Sequence, residues 1–331
     1  MDVERLAAPL SQDDPCGPDL EYDADFLALE QALRGKEEQQ FGDTVVPAQE
    51  PDWRDVAERA QALLARTKDL RVAVALARAL ARIDGIGGYA QALQLIHALC
   101  DAHWERVHPL LDAEYDNDPV VRMNALSVLS HPEAGLRDLK AAVLVRARGA
   151  QATLRDVGLA SGLLAAQEGD SFPSETEIAA MIADAGSADA EVPQCIQAAA
   201  QTADRLQSLL NDKVGSDRAA DLKPMRDLLR AAAKLAARAS GAGAEEGEAA
   251  GEARGAAGGV VAVGDIRSRE DAIRVLDRVC DFLERNEPSN PAPLFIRRAQ
   301  RLMAMSFVDI IRDLVPDSMS QLETLAGLNR E

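Results

Sequence analysis

Two neighbouring stretches decide the fold class: Pro51-Asp-Trp-Arg-Asp-Val-Ala-Glu-Arg-Ala-Gln-Ala-Leu-Leu64 and Asp69-Leu-Arg-Val-Ala-Val-Ala-Leu-Ala-Arg-Ala-Leu-Ala-Arg-Ile83. In the first, Trp53, Val56, Ala57, Ala60, Leu63 and Leu64 recur at the spacing of one helical face. Asp52 stands at the N-cap position, with Asp55 three residues on in the manner of a capping box. In the second, Ala73, Leu76, Leu80 and Ile83 align over about 69–83. Asp84-Gly85 and Gly87-Gly88 are expected to end this helix, because glycine tolerates the left-handed turn that closes one.

The same pattern extends outward. Tyr89, Leu93, Ile96, Cys100 and Trp104 form the stripe of a third helix, and Asp118-Pro119 opens a fourth with cap and first-turn proline in place. The short connections predict antiparallel neighbours. The run Leu139 to Val145 suits a helix or a buried strand equally, since periodicity does not separate them. Further on, Ser174 and Glu177 make a capping box ahead of Ile178, Met181 and Ile182. Ile196, Ala199, Ala203, Leu206 and Leu210, then Leu222, Met225, Leu229 and Ala232, predict a hairpin with a small-residue seam, broken near Gly215.

From 240 to 264 the composition shifts to Gly, Ala and Glu, too poor in apolar side chains to bury a core, and predicts a flexible linker. Order is expected to resume at 265–331. Ser268 and Asp271 cap a helix bearing Ile273, Leu276, Cys280 and Leu283, and Pro291 and Pro293 introduce a second. Ser306 and Asp309 cap a third with Phe307, Ile310, Ile311 and Leu314. The expected architecture is all-α and multi-domain: a helical domain over 1–165, a hairpin over 174–239, the linker, and a C-terminal unit over 265–331. A unit that small has a marginal core of its own, and self-association is a common remedy.

Composition removes competing classes. The chain has 331 residues, 47% apolar but only 3% aromatic, so its cores must be built from Ala, Leu, Val and Ile. Such cores suit closely packed helices. With 36 basic against 55 acidic residues the net charge is −19, and no basic run offers a face for phosphates. Nucleic acid is not an expected partner. The acidic start Met1-Asp-Val-Glu-Arg lacks an apolar h-region, and no window approaches a membrane span, so neither a leader nor membrane insertion is expected. Cys16, Cys100, Cys195 and Cys280 lie far apart, as suits reduced thiols in the cytoplasm.

Chemistry finds little support. His97, His103 and His108 lie near Asp101 and Glu105, but spacings of six and five scatter the rings around a helix, unlike a zinc-binding pair four apart. Asp19, Glu21, Asp23, Asp25 and Glu30 fit a calcium-loop register, yet Ala24 replaces the glycine of its sharp turn. The preceding Pro15-Cys-Gly-Pro18 also denies it an entering helix. An acidic helix start favoured by the helix dipole explains these residues without a metal. No nucleophile elbow, Walker motif or dinucleotide fingerprint is present. The chain therefore reads as a non-enzyme without a cofactor.

Several short motifs, in order, resemble a known family. Cys16-Gly-Pro-Asp-Leu-Glu-Tyr-Asp23, Pro51-Asp-Trp-Arg54, Leu63-Leu64 with Lys68-Asp-Leu-Arg71, Gly85-Ile-Gly-Gly88 and His103-Trp-Glu-Arg-Val-His-Pro109 resemble the ImpA N-terminal domain. That domain belongs to TssA proteins of the type VI secretion system. Ser268–Leu276, Glu287–Leu294 and Phe307–Leu314 look like the terminal domain of the short TssA proteins.

The resemblance implies a ring-forming C-terminal unit attached to the baseplate and the growing tail, with partners among baseplate, sheath and inner-tube proteins. Within the shared motifs, Trp53 and Trp104 are expected in helix packing, Asp52 and Asp69 as caps, and Leu70 as a further structural residue of the motif. Phe282, Phe295, Phe307 and Met319 are the candidates for the subunit contact. Two rivals to an assembly subunit stand beside it: a monomeric helical adaptor for one partner, and a metal-dependent hydrolase using the histidines.

Overall fold

The computed structural model describes residues 1–35, 39–41, 44–47, 49–147, 149–167, 169–189 and 191–240, and near the C-terminus 273, 276–277, 279–280 and 291–303. The chain divides into two compact units, Met1–Glu252 and Ala253–Glu331. In the first, α1 (Val3–Ala7) and α2 (Ala24–Arg34) precede β1 (Gln39–Phe41) and β2 (Thr44–Val46). Then come α3 (Trp53–Leu64), α4 (Leu70–Ile83), α5 (Gly85–Ala102), α6 (Val120–Ser127) and α7 (Gly135–Ala141). A second hairpin, β3 (Val143–Ala147) and β4 (Ala150–Thr153), leads into α8 (Leu154–Ala160), α9 (Glu175–Ala188), α10 (Glu191–Val214) and α11 (Lys223–Ala239).

The two antiparallel hairpins correct the all-α expectation to a mostly helical one. The ambiguous apolar run divides between both options: Leu139 closes α7, and Val143 to Val145 begin β3. Leu139, Leu144 and Val145 are all buried, so burial met either geometry and hydrophobicity could not choose.

The helical boundaries were set by caps. Asp52 accepts from the backbone N–H groups of Arg54 and Asp55, and Asp69 from that of Arg71. The Asp55 side chain is engaged instead by Arg59, 2.8 Å away, so the box at Asp52 is one-sided. Ser174 and Glu177 form the full reciprocal box, and so do Thr153 and Asp156. The glycines after α4 play another part than expected. Gly85, with φ +61°, turns the chain, while Gly87 and Gly88 already lie in the first turn of α5. A Cβ on Gly85 would sit 2.2 Å from the Val143 carbonyl oxygen, so only glycine lets β3 approach this corner.

Ten of the fourteen residues of α4 are buried, and five of the ten are alanine. Small side chains let α3 and α5 flank α4 closely. The hairpin of α10 and α11 forms as expected, with its whole predicted seam buried. The Gln207 side chain ties its turn, donating to the Ala220 carbonyl at 3.1 Å and accepting from Leu222 N–H at 3.0 Å. This hairpin does not stand apart. α10 lies along α5, α9 packs on α11 and β3, and Tyr89 Oη donates to Met225 Sδ at 2.9 Å. The stretches 1–165 and 174–239 thus share one continuous core.

In the second unit the helix Ala292–Met303 is described, beginning between the two prolines that were expected to introduce it. Cys280 is buried, its Sγ 3.8 Å from the Pro293 carbonyl oxygen. Gln300 Nε2 donates to Ile273 O and Asp277 Oδ1, each at 2.9 Å. The expected linker from 241 onward lies outside the described residues.

Candidate functional site

Three of the ordered motifs meet in one buried knot where α3 gives way to α4. Lys68 is 1% exposed, and its Nζ donates to Leu6 O at 2.7 Å and Leu64 O at 3.0 Å. Its backbone N–H reaches Cys16 O at 2.6 Å, while its carbonyl accepts from His108 N–H at 2.9 Å. Leu70 N–H donates to His108 O at 2.8 Å, completing a short bridge between the two segments. His108 Nε2 lies 2.8 Å from Gly17 O, and Thr67 Oγ1 donates to Pro18 O at 2.8 Å. Gly17, with φ +71°, has no room for a Cβ, which would fall 2.5 Å from Arg66 O.

A second buried cation closes the knot from below. Arg122 is fully buried, and its guanidinium donates to Pro109 O at 3.0 Å, Trp104 O at 2.5 Å and Val107 O at 2.6 Å. It also lies 4.7 Å from the Trp104 ring, and Lys213 Nζ of α10 is 5.8 Å from the same ring. Trp104 is buried but sits beyond the end of α5 rather than on its stripe. Burial lowers the pKa of both Lys68 and Arg122. Each donates to two or three carbonyl oxygens, the arrangement that makes a buried charge tolerable.

The acidic stretch read as a helix start rather than a calcium loop wraps the outside of this knot. Arg66 pairs with Asp23 and Asp25 at 2.6 Å each. Arg71 pairs with Asp69 at 2.7 Å, Glu21 at 2.7 Å and Asp19 at 3.1 Å, with the Phe26 ring 4.8 Å from its guanidinium. Burial alone lowers the Arg71 pKa, but its bonds to Asp69 and Glu21 outweigh that and raise it. Asp23 caps α2 at the same time. These carboxylates are occupied by arginine and backbone N–H groups.

Trp53 lies elsewhere. It is half-buried on the flank of α4, with the guanidinium groups of Arg78 and Arg82 at 5.7 and 5.5 Å from its ring. Arg82 pairs with Glu50, and Arg78 Nε donates to Asp138 Oδ2 at 2.7 Å. Asp138 is fully buried, and desolvation raises its pKa against the opposing pull of Arg78.

The histidines do not assemble. His103 faces Ala7 O at 3.0 Å, His108 is tied into the knot, and His97 is half-buried, its pKa lowered by burial. A surface cleft of about 350 Å³ gathers Asp101, His103, Glu105, Arg106 and Lys213 beside Trp104. Among the described residues no group of three or more His, Cys, Asp or Glu could hold a metal ion. Burial raises the Cys16 thiol and pushes Cys100 up to about 12, far from an activated nucleophile. No described helix is long and apolar enough to cross a membrane.

Of the residues singled out for self-contact, Phe295 is 69% exposed on Ala292–Met303, next to Leu294 at 73%. Phe282, Phe307 and Met319 lie outside the described residues. Sequence reasoning missed Lys68 as a buried donor, and Arg122 altogether. Its signal was an arginine within the apolar turn Val120–Met123.

Residues 7–131, which contain Lys68, His108 and Arg122, match the family model for ImpA, N-terminal, type VI secretion system. The solved N-terminal domain of the TssA component from Burkholderia cenocepacia, which includes the conserved ImpA_N region, superposes with a TM-score of 0.55. It is 27% identical, over 74% of this chain and 95% of that one. The type VI secretion system component TssA1 of Pseudomonas aeruginosa is 40% identical across 100% of both chains. This chain therefore belongs to the TssA family of type VI secretion system components.

Proposed function

We propose that this chain is a non-enzymatic assembly subunit that forms a ring-like homo-oligomer in the cytoplasm and joins the baseplate during sheath and tube assembly. The observation that carries this reading is the similarity to TssA1 over the full length of both chains. It takes in the C-terminal segment whose motifs look like those of the short, ring-forming members. Residues 265–331 hold the self-contact in this proposal. The adjacent exposed pair Leu294 and Phe295 supports it, since large apolar side chains left in solvent on a small unit favour association. The knot of Lys68 and Arg122 then serves as the rigid frame of a partner-facing domain, and Asp52, Trp53, Asp69, Leu70 and Trp104 act by packing and capping within it. No thiol or histidine there is set up for catalysis.

Light scattering and electron microscopy of the full-length protein test this. The expected result is closed rings whose mass is a whole multiple of 35.4 kDa. The double variant Leu294→Ser/Phe295→Ser is expected to shift the population to smaller species while leaving the helical circular dichroism signal intact. A monomer at every concentration would discard the ring in favour of the single-partner adaptor.

A further inference from the structure

The segment Leu110 to Val121 gathers apolar exposure at one place. Leu110, Tyr115, Val120 and Val121 are 53, 72, 50 and 50% exposed. The segment is built, not slack. Asp112 and Asp118 exchange backbone hydrogen bonds of 3.1 and 3.2 Å, closing a loop whose two stems carry Leu110 and Val120. Asp112 Oδ1 accepts from Glu114 N–H to start the turn Ala113–Tyr115, and Asp116 and Asn117 reverse the chain with φ +56° and +57°. Asp118 Oδ1 accepts from Val120 N–H at 2.9 Å, fixing the start of α6. Below, buried Arg122 holds Pro109 O, so both stems rest on the knot.

The charge on this loop has one sign. Asp112, Glu114, Asp116 and Asp118 are interspersed with the exposed apolar side chains along the loop, and no Lys or Arg occurs from Val107 to Val121. None of these four carboxylates has an ion-pair partner among the described residues, unlike the acidic stretch Asp19–Asp25, which arginines neutralise. Exposed apolar side chains sharing a loop with four such carboxylates select against phosphate surfaces, whether lipid or nucleic acid. They also select against a second copy of a chain whose net charge is −19. What fits is a different protein offering an aliphatic pocket bordered by Lys or Arg.

We propose that Leu110–Val121 is a docking loop for such a protein. Tyr115, Val120 and Val121 enter the pocket, and the four carboxylates meet its basic rim. An aromatic anchor at the centre with charges at the edge is the usual division of affinity and selectivity. The proposal needs no ring and is independent of the C-terminal self-contact.

The test places a p-benzoylphenylalanine photocrosslinker at position 115 of the full-length chain, irradiated in the cell that produces it. The expected adduct joins one other protein, at a peptide containing Lys or Arg within a few residues of the linked site. Val120→Ser/Val121→Ser and, separately, Glu114→Gln/Asp116→Asn are each expected to lower its yield by about fivefold or more. Both pairs are exposed, so thermal midpoints should stay within about 2 °C of the parent, and a lower yield then reports the surface. Adducts only between copies of this chain, adducts to lipid, no adducts, or a yield indifferent to both variants would each overturn the proposal.

Discussion

Arg122 shows how much can rest on one side chain. Its guanidinium serves three carbonyl oxygens from a single stretch, Trp104 to Pro109, in a site closed to water. Arg122→Met keeps the stem but strands all three acceptors, and the expected loss is about 3 kcal/mol or more of unfolding free energy. Chemical denaturation measures it, and Arg122→Lys should recover part, since one ammonium can serve fewer acceptors. An unchanged midpoint in the methionine variant would mean that water reaches those carbonyls. Asp23 illustrates the opposite, surface case. Its hydrogen bond from Arg66, then the backbone N–H of Asp25, hold its pKa below the ordinary value of 3.8. A lowered acid pKa stabilises the fold above the unfolded value and loses that contribution as pH falls through the folded one. Asp23→Asn keeps a good cap for α2 and removes only the charge. The variant should therefore melt lower than the parent at neutral pH and converge with it as pH falls through the lowered carboxyl pKa. Arg122 escaped detection in the sequence because its partners are backbone carbonyls 13 to 18 residues away, and Asp23 was read only as part of an acidic helix start because Arg66 lies 43 positions on. Asp52 and Asp69 were legible because their partners lie two or three residues on.

Among the elements, α3, α4 and the α10–α11 hairpin could be traced from spacing alone, since each carries an apolar stripe at helical spacing and caps or a turn at its ends. The β3–β4 hairpin could not. Val143-Leu144-Val145 is apolar at every position, and its strand form depends on α7 ending at Ala141 and on Gly85 yielding space beside Val143. That dependence gives a prediction. Gly85→Ala puts a methyl against the Val143 carbonyl and imposes a positive φ on an L-residue. The expected destabilisation is about 2 kcal/mol or more, with faster amide exchange in β3 and β4 than in α10. Uniform exchange across the unit would show that β3 is not held at this corner.

On the scale of the whole unit, the sequence suggested separable pieces at 1–165 and 174–239, and composition gave no reason to join them. The joint is a matter of surfaces: α5 buries eleven of its eighteen residues because α10 covers the side that α4 leaves open. A fragment of 1–165 should therefore lack a cooperative thermal transition, while 1–240 should unfold in one step by circular dichroism and by tryptophan fluorescence. Both tryptophans, Trp53 and Trp104, lie in the shorter fragment, so the same probes report on both. Two coincident, sharp transitions would sink the idea of a shared core. The alanine wall of α4 has a consequence of another kind. Where side chains are this small, almost every substitution adds volume, and a packed interior resists added methylenes. Sequence drift in α4 is thus channelled to the positions that still reach solvent, Arg71, Arg78, Arg82 and Ile83. New binding properties are acquired more readily on its arginine flank than through its alanine face.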